Sequence, residues 1–89
     1  MDFEWDDEKA ASNERKHGIS FAFATLVFDD PNVDDLPDED ADYGEDRWLA
    51  TGFVHPLMLS VVYTVRGSKT RLISARKATP YEQRRYWNG

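Results

Sequence analysis

The chain has 89 residues, which suits one small domain with a modest hydrophobic core, and its lack of cysteine excludes disulfide scaffolds, cysteine-based zinc sites and thiol catalysis. Its formal net charge of −6 argues against a general nucleic-acid binder, but that average hides a division along the chain. Residues 1–46 hold sixteen acids and three bases, whereas residues 47–89 hold one acid and eight bases, and such an asymmetry indicates a charged partner.

Two helices are predicted in the acidic half. Asp6 can cap a helix over residues 7–17, and Gly18 supplies the left-handed residue that often follows a helix. A second helix is predicted over Phe21 to Phe28, and because it is apolar on all sides it should be buried. Ahead of both, Phe3-Glu4-Trp5 alternates apolar and polar residues, which indicates a short strand or an extended lead-in.

Residues 29–46 are the most acidic part of the chain. They contain ten acids, no base and two prolines, and they show no regular period beyond a possible short strand near Val33 to Leu36. The plainest interpretation is a solvated acidic loop.

The basic half has the period of two that is typical of strands. Strands are predicted over Arg47–Val54, Leu57–Val65 and Thr70–Ala75, and their short connections imply an antiparallel meander. Thr79-Pro80-Tyr81-Glu82 is a capping box with proline at the first helical position, and it predicts a C-terminal helix. Residues 1–89 are therefore expected to form one α+β domain, with an antiparallel sheet of three to four strands.

The chain has two histidines, the one residue type whose ordinary pKa lies near neutrality. His55 precedes Pro56 in a probable hairpin turn, and it is most simply a surface residue. His17 ends the helix over residues 7–17, where a cation complements the helix dipole. That structural role and a role as a proton shuttle both remain open for His17.

The basic half offers a dense set of cations. Arginine suits phosphate because its planar guanidinium forms paired, charge-assisted hydrogen bonds. Simple strand alternation puts Arg71 and Arg76 on opposite faces, which makes Arg71 the weakest candidate. The alternative to phosphate binding is that these cations form a solvated surface whose positive charge is balanced by the acidic half. The cations are Arg47, Arg66, Lys69, Arg71, Arg76, Lys77, Arg84 and Arg85, and the nearby aromatics that can stack on RNA bases are Tyr63, Tyr81, Tyr86 and Trp87.

RNA cleavage by such a set needs no metal, because the ribose 2′-OH is itself the nucleophile. A base takes the 2′-OH proton, an acid protonates the leaving 5′ oxygen, and a cation stabilises the phosphorane. His17 is the natural proton shuttle, with Tyr63 or a lysine as less common substitutes. The composition permits this scheme without selecting it.

Several motifs together resemble one known family. They are Phe3-Glu4-Trp5-Asp6, Asn13 with Lys16-His17-Gly18, Phe28-Asp29-Asp30-Pro31, Tyr43-Gly44-Glu45-Asp46-Arg47, and Ile73-Ser74-Ala75-Arg76-Lys77-Ala78 followed by Glu82-Gln83-Arg84-Arg85-Tyr86. Their order and spacing resemble the BrnT family of type II toxins. The resemblance implies a RelE-like fold and a toxin that cleaves RNA without a metal or other cofactor, and so arrests translation.

The resemblance also suggests site residues. The positions that match the family are Lys16, His17, Arg47, Arg76 and Lys77, which we expect to be catalytic. On chemical grounds His17 or Lys16 would transfer protons, while Arg47 and Arg76 would contact the phosphate. Residues expected to bind the substrate are Arg66, Tyr63, Arg84 and Arg85.

The resemblance implies a protein partner as well. This would be a BrnA-like antitoxin whose ribbon-helix-helix part binds operator DNA, in a heterotetramer, so that the toxin would meet operator DNA only through its antitoxin. The acidic N-terminus and the short apolar stretches favour a cytoplasmic protein with no membrane contact. The acidic stretch from Asp34 to Asp46 would either lie over the basic surface or contact basic residues of the antitoxin.

Two other interpretations stay open. One is a catalytically weak member of the same family that serves mainly as the co-repressor partner of a DNA-binding antitoxin. The other is a small RNA-binding or protein-binding α+β module with no relation to toxins.

Overall fold

The computed structural model describes residues 1–38 and 44–89, which form an α+β fold of helices packed on a mixed sheet. The helices are α1 (Asp7–His17), α2 (Phe21–Ala24), a 3₁₀ helix (Thr25–Asp29) and α3 (Pro80–Asn88). The strands are β1 (Asp2–Glu4), β2 (Asp34–Pro37), β3 (Trp48–Val54), β4 (Leu57–Arg66) and β5 (Lys69–Lys77). None of the described helices is long and apolar enough to cross a membrane.

The predicted ends of the first helix are confirmed. The Lys9 backbone N–H donates to Asp6 Oδ1 at 3.0 Å, which caps the start of α1. Gly18 has a φ of 72°, and its N–H donates to the Glu14 carbonyl.

The predicted capping box of the last helix is confirmed too. The Glu82 backbone N–H donates to the Thr79 hydroxyl at 3.2 Å, and the Thr79 N–H donates to Glu82 Oε1 at 2.9 Å.

The single helix predicted over Phe21 to Phe28 is wrong in its second half, where the chain tightens into the 3₁₀ helix. That turn lies directly on β3, because a Cβ placed on Gly52 would be 3.1 Å from both Val27 Cγ1 and the Val27 carbonyl oxygen. A side chain at Gly52 would therefore push the 3₁₀ helix off the sheet.

The sheet has the strand order β1-β5-β4-β3-β2. The predicted meander of β3, β4 and β5 is confirmed, and β2 adds to it in the antiparallel sense. The prediction of a purely antiparallel sheet of three to four strands is wrong, because β1 pairs in parallel with β5, from Asp2 opposite Lys69 to Glu4 opposite Arg71. A three-residue strand whose partner lies 67 residues further along leaves too little local pattern to reveal the pairing.

The two faces of the sheet differ in character. The α1 face, which carries Leu59, Val61 and Tyr63 of β4, packs on α1, α2 and the 3₁₀ helix and forms the apolar core. The opposite face, called here the α3 face, carries Ser60, Val62 and Thr64. The Ser60 hydroxyl donates to Glu82 Oε1 at 2.9 Å, which ties α3 to this face.

A β-bulge determines which arginines share a face. Val62 pairs with Ser74 and Tyr63 pairs with Leu72, so Ile73 is an extra residue in β5. Beyond the bulge Arg71 lies opposite Thr64, and before it Arg76 lies opposite Ser60. Both arginines are therefore on the α3 face, and the prediction that they point to opposite faces is wrong.

Asn13 closes the edge of β5 beyond the end of β1. Its side-chain amide donates to the Ala75 carbonyl at 2.8 Å, and its Oδ1 accepts from the Ala75 N–H at 3.0 Å. The same amide donates to the Ile19 carbonyl at 3.1 Å. One side chain of α1 thus takes the place of a neighbouring strand at this position.

Candidate active site

Arg76 is the most firmly held cation on the α3 face. Its Nη1 donates to Glu82 Oε1 at 2.7 Å and its Nη2 donates to Glu82 Oε2 at 2.9 Å. The Arg76 side chain remains 35% exposed, whereas that of Glu82 is 11% exposed. Arg76 therefore presents a fixed charge to solvent, with the carboxylate beneath it.

Glu82 is a buried carboxylate with several hydrogen-bond donors around it. Burial raises its pKa, but the bonds from Arg76, the Thr79 N–H and the Ser60 hydroxyl outweigh that effect and lower the pKa to about 2. Glu82 is thus ionised at neutral pH and serves as an anchor for Arg76, not as a proton-transfer group.

Other arginines of the basic half form ion pairs with carboxylates of the acidic half. The distances are 2.8 Å for Arg71 Nη1 to Glu4 Oε2, 3.2 Å for Arg66 Nη2 to Glu45 Oε2, 3.6 Å for Arg47 Nη2 to Glu45 Oε1, and 3.2 Å for Arg85 Nε to Asp34 Oδ2. The fold therefore brings acids from the N-terminal half against the basic surface. Glu45 and Asp34 are the described members of the acidic stretch that do so.

The α3 face is open between two covered ends. At one end α3 covers Ser60, and at the other the Asp46 carbonyl accepts a hydrogen bond from the Thr64 hydroxyl at 2.6 Å. Val62 lies between these two residues of β4 and is half-buried. Arg76 and Arg71 lie opposite Ser60 and Thr64, which are four residues apart on β4, so the two arginines are roughly 13 Å apart at about 3.3 Å per residue.

Lys16 and His17 lie at the edge of the sheet. They line a groove of about 210 Å³ between α1 and β5, which we call the α1 groove. Its lining residues are Lys9, Ser12, Asn13, Lys16, His17, Ile73 and Ser74. Arg47, Arg76 and Lys77 are not among them, so the structure does not bring all of the expected catalytic residues into one groove.

Ser74 connects the two regions. It lines the α1 groove, and its pairing with Val62 puts it on the α3 face. Arg76 is two residues further along β5 on that same face, roughly 7 Å away at about 3.3 Å per residue.

The remaining expected residues are spread over the surface around α3. Lys77 is exposed and lines a cavity of about 400 Å³ with apolar residues that include Phe53, Leu57 and Trp87. Arg84 and Arg85 line another cavity, of about 360 Å³, on the outer side of α3 beside Tyr81. Arg66 is an exposed residue at the end of β4.

Tyr63 lies in the core and not on the α3 face. It is 7% exposed, its ring packs edge-on against Phe28 at a centroid distance of 5.0 Å, and its hydroxyl donates to Asp35 Oδ2 at 2.6 Å. Burial and the bond to the Asp35 carboxylate raise its pKa well above the usual range. The structure therefore places Tyr63 away from the face on which Arg76 is exposed.

Sequence reasoning missed three residues of this region: Glu82, Arg71 and Ser74. The capping box located Glu82 at the start of a helix, but its bonds to Arg76 and Ser60 depend on tertiary packing. The sequence of β5 gives no sign of the bulge that brings Arg71 to the same face as Arg76. Ser74 carries no chemical signal of its own in the sequence.

Comparison with known proteins gives one family. A family model described as "Ribonuclease toxin, BrnT, of type II toxin-antitoxin system" matches residues 5–82, which is nearly the whole chain. The matched range contains the α1 groove as well as Arg76 and Glu82. No curated protein gives a significant match.

Proposed function

Because the chain belongs to the BrnT family of ribonuclease toxins of type II toxin–antitoxin systems, we propose that it is an endoribonuclease that cleaves cytoplasmic RNA without a metal and so arrests translation. An antitoxin neutralises it. The observation that carries this proposal, beside the family, is the Arg76 guanidinium, which Glu82 holds by two hydrogen bonds on an otherwise open sheet face.

Arg76 acts on the reacting phosphate. Its two bonds to Glu82 fix the plane of the guanidinium before RNA arrives, so little side-chain freedom is lost on binding. A fixed cation of this kind stabilises the charge that develops on the phosphorane oxygens. Arg47, which is 15% exposed at its side chain, and Lys77 add positive charge around the scissile phosphate.

His17 and Lys16 transfer the protons. The 2′-oxygen loses its proton to one of them and forms a bond to phosphorus. The bond from phosphorus to the 5′-oxygen breaks, and that oxygen takes a proton from the other group. The products are a 2′,3′-cyclic phosphate and a 5′-hydroxyl end. Ser74 supports this arrangement, because it lies beside both the α1 groove and the strand position of Arg76.

The decisive experiment is cleavage of RNA by the purified protein in the presence of EDTA. The wild-type protein should cleave, and His17→Ala should be slower by about 10²-fold or more, as is usual for loss of a general acid or base. His55→Ala is the matched control, because His55 is an exposed residue of the β3–β4 turn. Equal rates for the two variants would contradict the role of His17, and activity lost with EDTA would contradict metal independence.

A second candidate function is favoured by the acid partners of the arginines. Arg47, Arg66 and Arg71 already contact carboxylates, and these compete with RNA phosphate. A member with weak RNA binding would serve mainly as co-repressor with its antitoxin. Undetectable cleavage by a folded protein that still binds the antitoxin would favour this alternative.

The partner we propose is a BrnA-like antitoxin with a ribbon-helix-helix part that binds operator DNA. Co-expression of the two chains followed by light scattering should give the mass of a heterotetramer. Operator DNA should bind this complex and not the toxin alone. A complex of one toxin with one antitoxin would contradict the heterotetramer.

A further inference from the structure

The α1 groove holds more than the proposed proton-transfer residues. Lys9, Ser12 and Ser74 line it as well, and no chemical step described above uses them. We propose that this groove is a second phosphate site, which binds a backbone phosphate of the RNA next to the one that is cleaved. This inference rests on the proposed ribonuclease function and extends it to three further substrate-binding residues.

Charge is distributed unevenly around α1. Lys9, Ser12 and Lys16 are spaced at i, i+3 and i+7, so they share one side of the helix at about 100° per residue. The acids Asp7 and Glu14 are about 140° or more away from Lys9 around the axis, whereas Glu8 is about 100° from Lys9 and about 40° from Ser12. The side of α1 that borders the groove therefore carries two lysines with Glu8 at its margin, although the helix as a whole is not cationic.

The position of Lys9 is unfavourable for the helix itself. It lies in the first turn, where the helix dipole stabilises acids and destabilises cations. Lys16 is different, since it lies in the last turn and complements the dipole there. The Lys9 charge thus does not stabilise α1 through the helix dipole. We therefore assign its position beside the groove to the binding of an anion.

The polar groups of the groove are available to a ligand. In residues 1–38 and 44–89, no carboxylate lies within 4.0 Å of the Lys9 or Lys16 ammonium, in contrast to the arginines of the α3 face. The Ser12 and Ser74 hydroxyls likewise make no hydrogen bond within that part of the chain. The Lys9 ammonium and the two hydroxyls suit the oxygens of a phosphate, and Lys16 beside them stays available for proton transfer.

The groove is also rigid. Asn13 fixes α1 to β5 through its two bonds to Ala75, so the helix and the strand that line the groove are held at a fixed separation. From Ser74 the path continues over the sheet edge to Arg76 on the α3 face. A single-stranded RNA that follows this path would place one phosphate at Arg76 and a neighbouring one in the groove.

The test is binding of a single-stranded RNA with 2′-O-methyl groups, which cannot be cleaved because its nucleophile is blocked. Lys9→Ala should weaken binding about 5- to 10-fold at low salt and reduce the slope of log affinity against log salt by about 0.7, the value for one phosphate contact on a single strand. Arg15→Ala is the matched control, since Arg15 is an exposed cation on the other side of α1. Equal behaviour of the two variants would overturn the proposal.

A second measurement separates this proposal from the proposed function. Inorganic phosphate is titrated into the full chain while backbone amide resonances are followed by NMR. Saturable shifts at Ser12 and Ser74 that disappear in Lys9→Ala are the expected result. If the wild-type protein bound no RNA, the ribonuclease proposal would fail, and the presence or absence of these shifts would still decide whether the groove is an anion site.

Discussion

The Arg76 guanidinium and the Glu82 carboxylate form a bidentate pair, in which Nη1 donates to Oε1 at 2.7 Å and Nη2 donates to Oε2 at 2.9 Å. The pair joins β5 to the first turn of α3, and Glu82 also accepts from the Thr79 N–H and the Ser60 hydroxyl. The orientation of Arg76, which we propose contacts the RNA phosphate, and the packing of α3 therefore depend on the same carboxylate.

Glu82 should make stability depend on acid pH. Its folded pKa of about 2 lies below its ordinary 4.5, so its contribution is complete above pH 4.5 and is lost as the pH falls toward 2. The loss is at most about 3 kcal/mol at 1.36 kcal/mol per pKa unit. Urea unfolding at several pH values should show a flatter profile for Glu82→Gln than for wild type. A profile as steep as that of the wild type would contradict this assignment.

Asn13→Ala should destabilise the fold. The substitution leaves the N–H and the carbonyl of Ala75 without their partners in a buried position. We expect a loss of about 2–6 kcal/mol in the free energy of unfolding, at about 1–3 kcal/mol for each of these two groups. Ser12→Ala, an exposed change on the same helix, should stay within about 0.5 kcal/mol of wild type in the same urea titration. Comparable free energies of unfolding for the two variants would show that the Asn13 side chain does not stabilise the edge of β5.

Arg76→Ala should lower the RNA cleavage rate by about 10²- to 10³-fold, the usual cost of losing one group that stabilises the transition state. Arg76→Lys should recover less than tenfold, because a single ammonium cannot bond both Glu82 oxygens in parallel. Lys69→Ala removes a charge of the same sign from the same strand and should cleave like wild type. Circular dichroism should establish that each variant is folded. Full activity of Arg76→Lys would mean that a positive charge at this position is enough for cleavage, without the paired hydrogen bonds to Glu82.

Glu45→Gln should increase affinity for RNA. Glu45 contacts both Arg47 and Arg66, so its carboxylate competes with phosphate for them. An exposed ion pair contributes up to about 1 kcal/mol, which corresponds to an increase of about two- to five-fold at low salt. Glu14→Gln, on α1, removes an equal charge elsewhere and should change affinity less. Unchanged or weaker binding by Glu45→Gln would mean that Glu45 does not restrict access to the arginines.

The parts of the fold that depend on neighbouring residues could be predicted from the sequence. Asp6 and Gly18 cap the two ends of α1. These ends could be predicted because each capping bond joins residues three or four apart in the sequence. The three strands of the meander follow from alternation and short turns, and Thr79 with Glu82 marks the start of α3. In each case the determining interaction lies within one element or one hairpin.

The parts that depend on distant residues could not be predicted. Asn13 meets Ala75 from 62 residues away, and Arg71 meets Glu4 from 67 residues away. Nothing in the local pattern favours these partners over other residues of the same type. The parallel pairing of β1 belongs to the same class, since three residues cannot specify a register.

The candidate site was predicted by residue type more than by arrangement. Lys16 and His17, one or the other of which the chemistry assigns to proton transfer, line one groove, and their role stays a prediction. Tyr63 was expected at the RNA, but it is opposite Trp48 and Leu72 on the core face of the sheet. Periodicity alone gives two faces for a strand, and only the neighbouring elements decide which of them is open.

The extra residue at Ile73 has a consequence for insertions and deletions. Removing Ile73 would leave every β4–β5 pair in place, because Ile73 is the residue without a partner in β4, and Arg71 and Arg76 would both stay on the α3 face. Removing one residue between Ser60 and Thr64 of β4, where the chain has none to spare, would instead turn part of that strand over and exchange its core and α3-face side chains. Loss of one residue should therefore be tolerated better at the bulge of β5 than in the facing part of β4.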